Sequence, residues 1–564
     1  MASYQHVGTA VVVETAGEEE RGARLLEPSL RNGYFETENR PKRDVAWSKA
    51  YAVLSVLMLL GGVVSFFTRD KDFALHTSPE YLNESMHCSP GRVLEEGMGS
   101  LQPSPYFAPL LFGSVLGSVG MAVLFAVVLR KQAMVAVLGS VLTVAVACLA
   151  SAWVQLSKRA GAEADDDQMS VGYAYLFFGV IYLIFPVVCW RRLKLTANLL
   201  KVSGQGLAEN PGLTVSTISI AGTTFIVLLV QMGLAGLGVM NGSVVPSPED
   251  APPSAPPCQY RPHAGGIAYF LLCLAMLLWT SAIGGQMSLF TIAGTIGQWY
   301  YAPEGTSTRG TTKLSLGFAM RPSFGSLCLA GMAITLINIA RSAVNSFQRR
   351  FGVCCAWIFQ VLLSWMSLFT KFSTIRMAIT GDSFFDSAKG VMDLLKRNGR
   401  DAFTVWWFPA FVLRMFAIIS AFFYGAVVSL LALAAGANCM QIMALAFVSG
   451  ATCAVSLSFV ASIMLNIVDS VFICWVMDCD RKQVTRVEVH EVFTQVPLAK
   501  PAEGLAVEQP DGSYAYAPSH PMGAVEGATP YSPPSQAAVV QGTTYPTGYA
   551  PVAPSDHDPE AAHR

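Results

Sequence analysis

The stretch "GIAYFLLCLAMLLWTSAIGGQMSLFTIAGTIGQWYY", residues 266–301, runs for about 36 residues without a charge. As one α-helix it would be about 54 Å long at 1.5 Å per residue. The hydrocarbon core of a bilayer is only about 30 Å thick. Two solutions follow: one long tilted helix unwound at Gly284-Gly285, or two short helices broken at "AIGGQMS", residues 282–288. Arg341, Arg349 and Arg350 put the end of the next span on the cytosolic side, where basic residues accumulate. That favours the break, and lays residues 351–369 along the inner membrane face.

On both sides of this stretch the chain repeats the pattern. Apolar runs fall at about 46–68, 106–129, 133–156, 171–190, 214–240, 325–347, 351–370, 403–434 and 439–478. Of 564 residues, 52% are hydrophobic and 13% charged, with mean hydropathy +0.45. Soluble domains carry about 25% charged residues. The reading is an all-α, polytopic helical membrane protein with about ten transmembrane helices. A balance of 37 basic to 38 acidic residues argues against a nucleic-acid binder.

Orientation follows from basic flanks. Arg40, Lys42 and Arg43 precede the first span, Arg130 and Lys131 separate the second and third, and Arg191, Arg192 and Lys194 follow the fourth. One arrangement satisfies all three, with both chain ends cytosolic. The domains are then a polar N-terminal tail (1–45), a transmembrane domain (46–480) with outside loops at 69–105 and 241–265, and a tail (481–564). The first 45 residues lack the apolar core of a signal peptide. The C-terminal tail, with "YSPP" and "YPTGYAP", is rich in Pro, Tyr, Gly and Ser and is read as disordered and cytosolic. Its tyrosine–proline motifs are candidate docking sites for a trafficking protein. The sequons at Asn83 and Asn241 both fall in outside loops and are candidate glycosylation sites. Cys88 and Cys258 alone among twelve cysteines lie in those loops, which makes them a candidate disulfide, a pairing their spacing leaves open.

The chemistry-bearing residues are few. There is no GxxxxGK[ST] loop for an ATP motor and no HExxH; "HEVFT" at His490 lacks the second histidine. All eight histidines fall outside the apolar runs, so an intramembrane metal enzyme is not expected. No cofactor, metal or catalytic residue is assigned. Away from the run ends, Arg414 and Asp469 are the deep charges, and an ionisable residue there marks a functional site by default. Measured from the inner ends of their runs they lie at about 16 and about 14 Å, similar depths. They are read either as an ion pair locking two helices or as a proton or cation site. In "LFGSVLGSVGM", Gly113, Gly117 and Gly120 suit close helix packing.

Trp299, Tyr300 and Tyr301 also admit two readings. They are interfacial anchors, or they line a pocket for a cation held by ring faces. Gln286, Gln298 and Trp279 share that run and would join the pocket.

Four segments together resemble the choline transporter-like solute carriers. "AGTIGQWYY" (293–301) with "RPSFGSLCLAGMAITLINIAR" (321–341) is similar to that family's aromatic motif and following span. "TIRMAITGDSFFDSAKGVMDLLKRN" (374–398) resembles its "A-I-x-G-x-x-F-x-x-S-A-K" segment, and "NIVDSVFICWVMDCDR" (466–481) its closing helix. "WYY", "SFGS" and the modest first outside loop look closer to the fungal and protist pH-nine-sensitive branch. The resemblance implies about ten spans, cytosolic ends, and choline or a related organic cation moved without ATP, with protons as candidate counter-ions. The expected partners are membrane lipids and that cation, and the expected place is the plasma membrane, with an organelle membrane as the alternative. Non-transporting scaffold, channel and lipid scramblase remain the alternative classes.

Overall fold

In the computed structural model, residues 35, 40–77, 107–157, 166–247, 258–302, 310–351, 353–399, 407–494, 506–508 and 514–516 are described. Asn83, Cys88 and the tail motifs lie outside them. All described residues belong to the unit Met1–Ser519.

The long helices are α1 (Val45–Thr68), α2 (Phe107–Ser157), α3 (Asp166–Val188), α4 (Trp190–Glu209) and α5 (Gly212–Val239). After an antiparallel hairpin, β1 (Gly242–Pro246) with β2 (Cys258–Pro262), come α6 (Ala264–Tyr301), α7 (Thr311–Met320), α8 (Phe324–Phe351) and α9 (Val353–Thr380). The chain continues through α10 (Phe384–Leu394), α11 (Trp407–Ala434), α12 (Cys439–Arg481) and α13 (Val487–Thr494). Eight described helices are long and apolar enough to cross a membrane, and α3 with α4, bent by 71°, passes as a ninth. Val141–Val154, beyond a break in α2 at Gln132 (φ −142°, ψ 50°), would supply the tenth.

Residues 266–301 lie within one unbroken helix, α6. Its glycines answer to packing rather than to unwinding. A Cβ on Gly284 would sit 2.5 Å from Thr224 of α5, and one on Gly294 would sit 2.8 Å from Ser315 of α7. A Cβ on Gly297 would meet Ile379 and Phe35. Close approach of neighbouring helices at Gly284, Gly294 and Gly297 takes the place of the expected break, while a Cβ on Gly285 would meet nothing within 4 Å.

At 38 residues α6 is longer than a hydrocarbon core of about 30 Å needs, and the excess is packed in protein. Tyr51, about 10 Å into α1, hydrogen-bonds Thr280 of α6 at 3.0 Å. At the far end of α1, Asn241 donates to Thr68 at 2.9 Å. So α1 and the first half of α6 are antiparallel neighbours of matching length. The second half of α6 overruns the start of α1 by about 18 Å at Trp299. There it is encased by α4, α7, α9 and α12, and residues 289–300 are buried throughout.

The same frame corrects the next two helices. Ser326, near the start of α8, donates to Asp44 at 2.6 Å, so α8 begins where α1 begins. Arg341 therefore lies toward the hairpin end of the bundle, and the helix containing Arg341, Arg349 and Arg350 does not return to the Asp44 end. Residues 356–380 of α9 are long and apolar enough to cross a membrane, against the expectation that this stretch lies along its inner face. Of the three basic residues behind that expectation, Arg341 lines a cavity and so is not a topology-setting loop residue, while Arg349 and Arg350 stand at the end of α8 away from Asp44.

The two ends of the described chain join this base. Asp44, at φ 51°, accepts from Ser326 and from the Phe384 backbone N–H at 3.1 Å, tying α1, α8 and α10 together. Arg40 donates to the Ile379 carbonyl at 2.9 Å and packs its guanidinium on Phe35 and Phe318. The ordered helical chain continues past Arg481 through α13, some way into the expected tail.

Candidate functional site

A cavity of about 1530 Å³ lies between the pair α8/α9 and the pair α11/α12, with α6 along one side. Its wall descends α9 from Trp357 to Lys371, about 21 Å along that helix. Near the hairpin end it is lined by Arg341, Trp357 and Gln360, and at its floor by Gln286, Lys371 and Asp469. Gln360 donates to the Arg341 carbonyl at 3.3 Å, which sets those two at one level.

Asp469 is 4% exposed and ion-paired with Lys371 of α9. Arg414 is not in that pair. Gly425 of α11 packs against Ala446 and Gly450 of α12, a register that sets Arg414 level with Phe459, about 15 Å above Asp469. The equal depths expected from the sequence fail because α12, at 43 residues, is like α6 longer than a hydrocarbon core needs. Depth counted from its inner end is therefore not membrane depth. Arg414 and Asp469 nonetheless line the same cavity. Gln286 is there too, its side-chain oxygen accepting from Thr374 at 2.7 Å.

The remaining candidates lie elsewhere. Trp279 donates to the Cys328 carbonyl at 2.9 Å in a separate cluster with Tyr51 and Met58. Gln298 is spent on Ser315 at 2.8 Å and on the Thr311 and Gly294 carbonyls. Trp299 donates to Glu209 at 2.5 Å, Tyr300 to Asp478 at 2.9 Å and Tyr301 to the Cys474 carbonyl at 3.2 Å. All three rings are buried among packed helices beyond the start of α1, and none of them lines the cavity. The aromatic faces that do line the cavity are Trp357 and Trp365.

Below the floor the packing continues. Arg486 lies 4.0 Å from the Trp299 ring centroid and donates to the Trp299 carbonyl at 2.7 Å and the Tyr300 carbonyl at 3.3 Å, capping α6. A cation is favourable at a helix C-terminus. Phe493 of α13 stacks on Trp475 at 4.8 Å. Asp478, fully buried, takes the Thr485 backbone N–H and hydroxyl, both at 3.1 Å, besides Tyr300. Sequence reasoning missed Lys371 and Arg486. Lys371 stood one residue past an apolar run, and Arg486 stood in what read as tail.

At the hairpin end, Cys258 is disulfide-bonded. The Asn241 side-chain nitrogen is engaged with Thr68.

The segments quoted for the family resemblance now have places. The "AITGDSFFDSAK" stretch is the α9–α10 turn, with Gly381 at φ +77° beside Arg40 and Ser383 capping α10 through the Asp386 N–H. The "NIVDS" stretch brings Asn466 and Asp469 to the cavity. The profile of the family described as plasma-membrane choline transporter matches residues 173–480, more than half of the chain. The chain belongs to this family. Among curated relatives of this chain, Protein pns1 of Aspergillus fumigatus is 31% identical over 20% of the chain and 23% of its own length. A CTL-like protein of Dictyostelium discoideum is 21% identical over 49% of the chain and 54% of its own length. Choline transporter-like protein 3 of Bos taurus is 22% identical over 58% and 51%. The alignments thus span about a quarter of the fungal relative and about half of the other two. Membership points to an integral membrane protein of a transporter family.

Proposed function

We propose that the protein is a secondary carrier for choline or a related organic cation, working through the cavity between α8/α9 and α11/α12. The observation that carries this reading is the Lys371–Asp469 pair at the cavity floor. Asp469 is the one carboxylate among the described lining residues, and Trp357 and Trp365 offer ring faces to a quaternary ammonium. A cation or a proton arriving at Asp469 competes with Lys371 for the carboxylate. Either frees the lysine and loosens α9 from α12, the event a carrier needs to switch access. The Asp44 end, sealed by Trp299, Tyr300 and Phe493, is then the closed side of a state open toward the hairpin.

The basic flanks put the Asp44 end in the cytosol, and a disulfide at Cys258 suits an oxidising exterior. Cys88 is its proposed partner. A plasma-membrane location and glycosylation of Asn83 belong to the same reading, as does docking of a trafficking partner on the C-terminal tail.

The test is uptake of labelled choline into liposomes holding the purified protein, with and without a pH gradient. Saturable, gradient-dependent uptake is expected, and Asp469→Asn is expected to keep the fold while losing the pH response. Uptake of this variant that matches wild type between pH 6 and 9 would remove Asp469 from coupling. No flux above empty liposomes would detach choline from the fold.

A further inference from the structure

Resting on the carrier reading, we infer that the cavity recognises a zwitterion, a substrate bearing an anionic oxygen group as well as an ammonium. Its charged lining is Arg341 from α8, Lys371 from α9, Arg414 from α11 and Asp469 from α12; α6 contributes none. Lys371 and Asp469 compensate each other. That leaves two guanidiniums, and among the described residues neither has a hydrogen-bond or ion-pair partner for its side chain. The Arg341 Nε is fully enclosed and unbonded there. A bare cation descending to Asp469 passes both of these positive charges, an arrangement of the wrong sign for steering it.

An anionic oxygen group reverses the balance. Guanidinium presents a planar fork of donors suited to carboxylate or phosphate. Arg414 stands about 15 Å above Asp469 by helix register, and since helical side chains lean toward their own N-terminus, Arg414 on α11 and Asp469 on the antiparallel α12 lean toward each other across that interval. A compact zwitterion fits this order, with its anion toward Arg414 and Arg341 and its ammonium toward Asp469 and the rings of Trp357 and Trp365. The same chemistry occurs in free solutes and in the headgroup of a bilayer phospholipid.

The experiment is a thermal-shift titration of the purified full-length protein with choline, glycine betaine, phosphocholine and inorganic phosphate. We expect glycine betaine or phosphocholine to bind at least about tenfold tighter than choline, and phosphate alone to bind weakly. Arg414→Gln should bring the zwitterion within about twofold of choline, and Arg414→Lys should restore part of the preference. Arg341→Gln provides a second variant if the first does not fold. Choline bound as tightly as the zwitterions overturns the inference, as does a preference that survives both glutamine variants. Phosphate binding as tight as phosphocholine also overturns it, since a plain anion site would suffice. A response confined to phosphatidylcholine in nanodiscs supports the inference with a lipid as the source, whereas a response to free phosphocholine supports it with a solute. Liposome flux separates the two readings. Saturable choline flux without zwitterion preference keeps the carrier and removes the inference; zwitterion binding without any flux does the reverse.

Discussion

Asp469 is nearly inaccessible, and Lys371 is the cation that makes its charge tolerable. Removing one member of a buried pair leaves the other uncompensated, whereas replacing both with apolar residues is often close to neutral. Lys371→Met is therefore expected to destabilise the protein by about 2–3 kcal/mol, and the double variant Lys371→Met/Asp469→Leu by clearly less. Thermal melts of the detergent-purified variants check the order, and a double variant as unstable as Lys371→Met would show the pair is not coupled. Asp469 was legible in the sequence because a carboxylate deep in an apolar run is costly without a purpose. Lys371 was not, because at a run's edge a lysine looks like an ordinary interfacial residue. Arg414 was legible as a charge but not as to partner, which depends on a helix register that no local pattern encodes. The aromatic run from Trp299 admitted two readings for a related reason: whether such rings face lipid, ligand or protein depends on what packs over them.

At the level of elements, small residues read correctly as packing sites only where a neighbour arrives. Of the three glycines noted in α2, Gly117 lies against Tyr424 of α11, whose hydroxyl donates to the Ser114 carbonyl at 2.6 Å; Gly113 and Gly120 meet nothing within 4 Å. The closer helix contact is Gly425, where a Cβ would stand 3.0 Å from the Ala446 carbonyl. Gly425→Val is expected to push α11 off α12 and cost about 1–3 kcal/mol. Gly113→Ala should be neutral or stabilising by about 0.5–1 kcal/mol, the helix preference of alanine over glycine. Melting temperatures that fall equally for both would contradict the packing described. The spans themselves were legible from hydropathy, but the break in α6 was not a break, since glycine spacing is the same whether a helix unwinds or receives a neighbour.

The turn that follows α1 makes a second prediction at this scale. Asp70 contacts His76 at 2.5 Å, and that hydrogen bond holds its carboxyl below the ordinary value of 3.8. Because the folded value is depressed, the contact contributes fully above the ordinary value and is lost as pH falls through the lower one. Asp70→Asn should therefore reduce amide protection at His76 and Thr77 at pH 7, and the difference from wild type should vanish at strongly acid pH. Equal protection of the two proteins at pH 7 would show that the turn is held by Phe73 against Tyr260 instead.

For the whole molecule, the question is where the transporter stops and the tail begins. Composition set that boundary after Asp480, where apolar periodicity ends. The structure carries the helical fold on to Thr494, because the extramembrane base needs a cap, and beyond it pairs a short antiparallel hairpin, Ala506–Glu508 with Tyr514–Tyr516. Arg486 closes the C-terminus of α6, Thr485 satisfies the buried Asp478, and Val489, His490 and Phe493 are buried against that base. Only a pattern three residues wide on a short helix signalled this, and it sits beside a long polar stretch that obscures it. The two truncations that sequence alone would treat as equivalent are thus expected to differ. Deleting 495–564 should leave the melting temperature and liposome flux close to those of the full chain. Deleting 483–564 uncaps α6, strands Asp478 and exposes Trp475 and Phe472, so it should lower stability by several kcal/mol and abolish flux together with folding. If the shorter deletion alone abolished flux in a protein that still melts normally, the tail would be a working part, and the scaffold reading would regain standing. If the longer deletion were silent, the cap would be dispensable, and the seal at the Asp44 end would have to rest on α4, α7 and α9 alone.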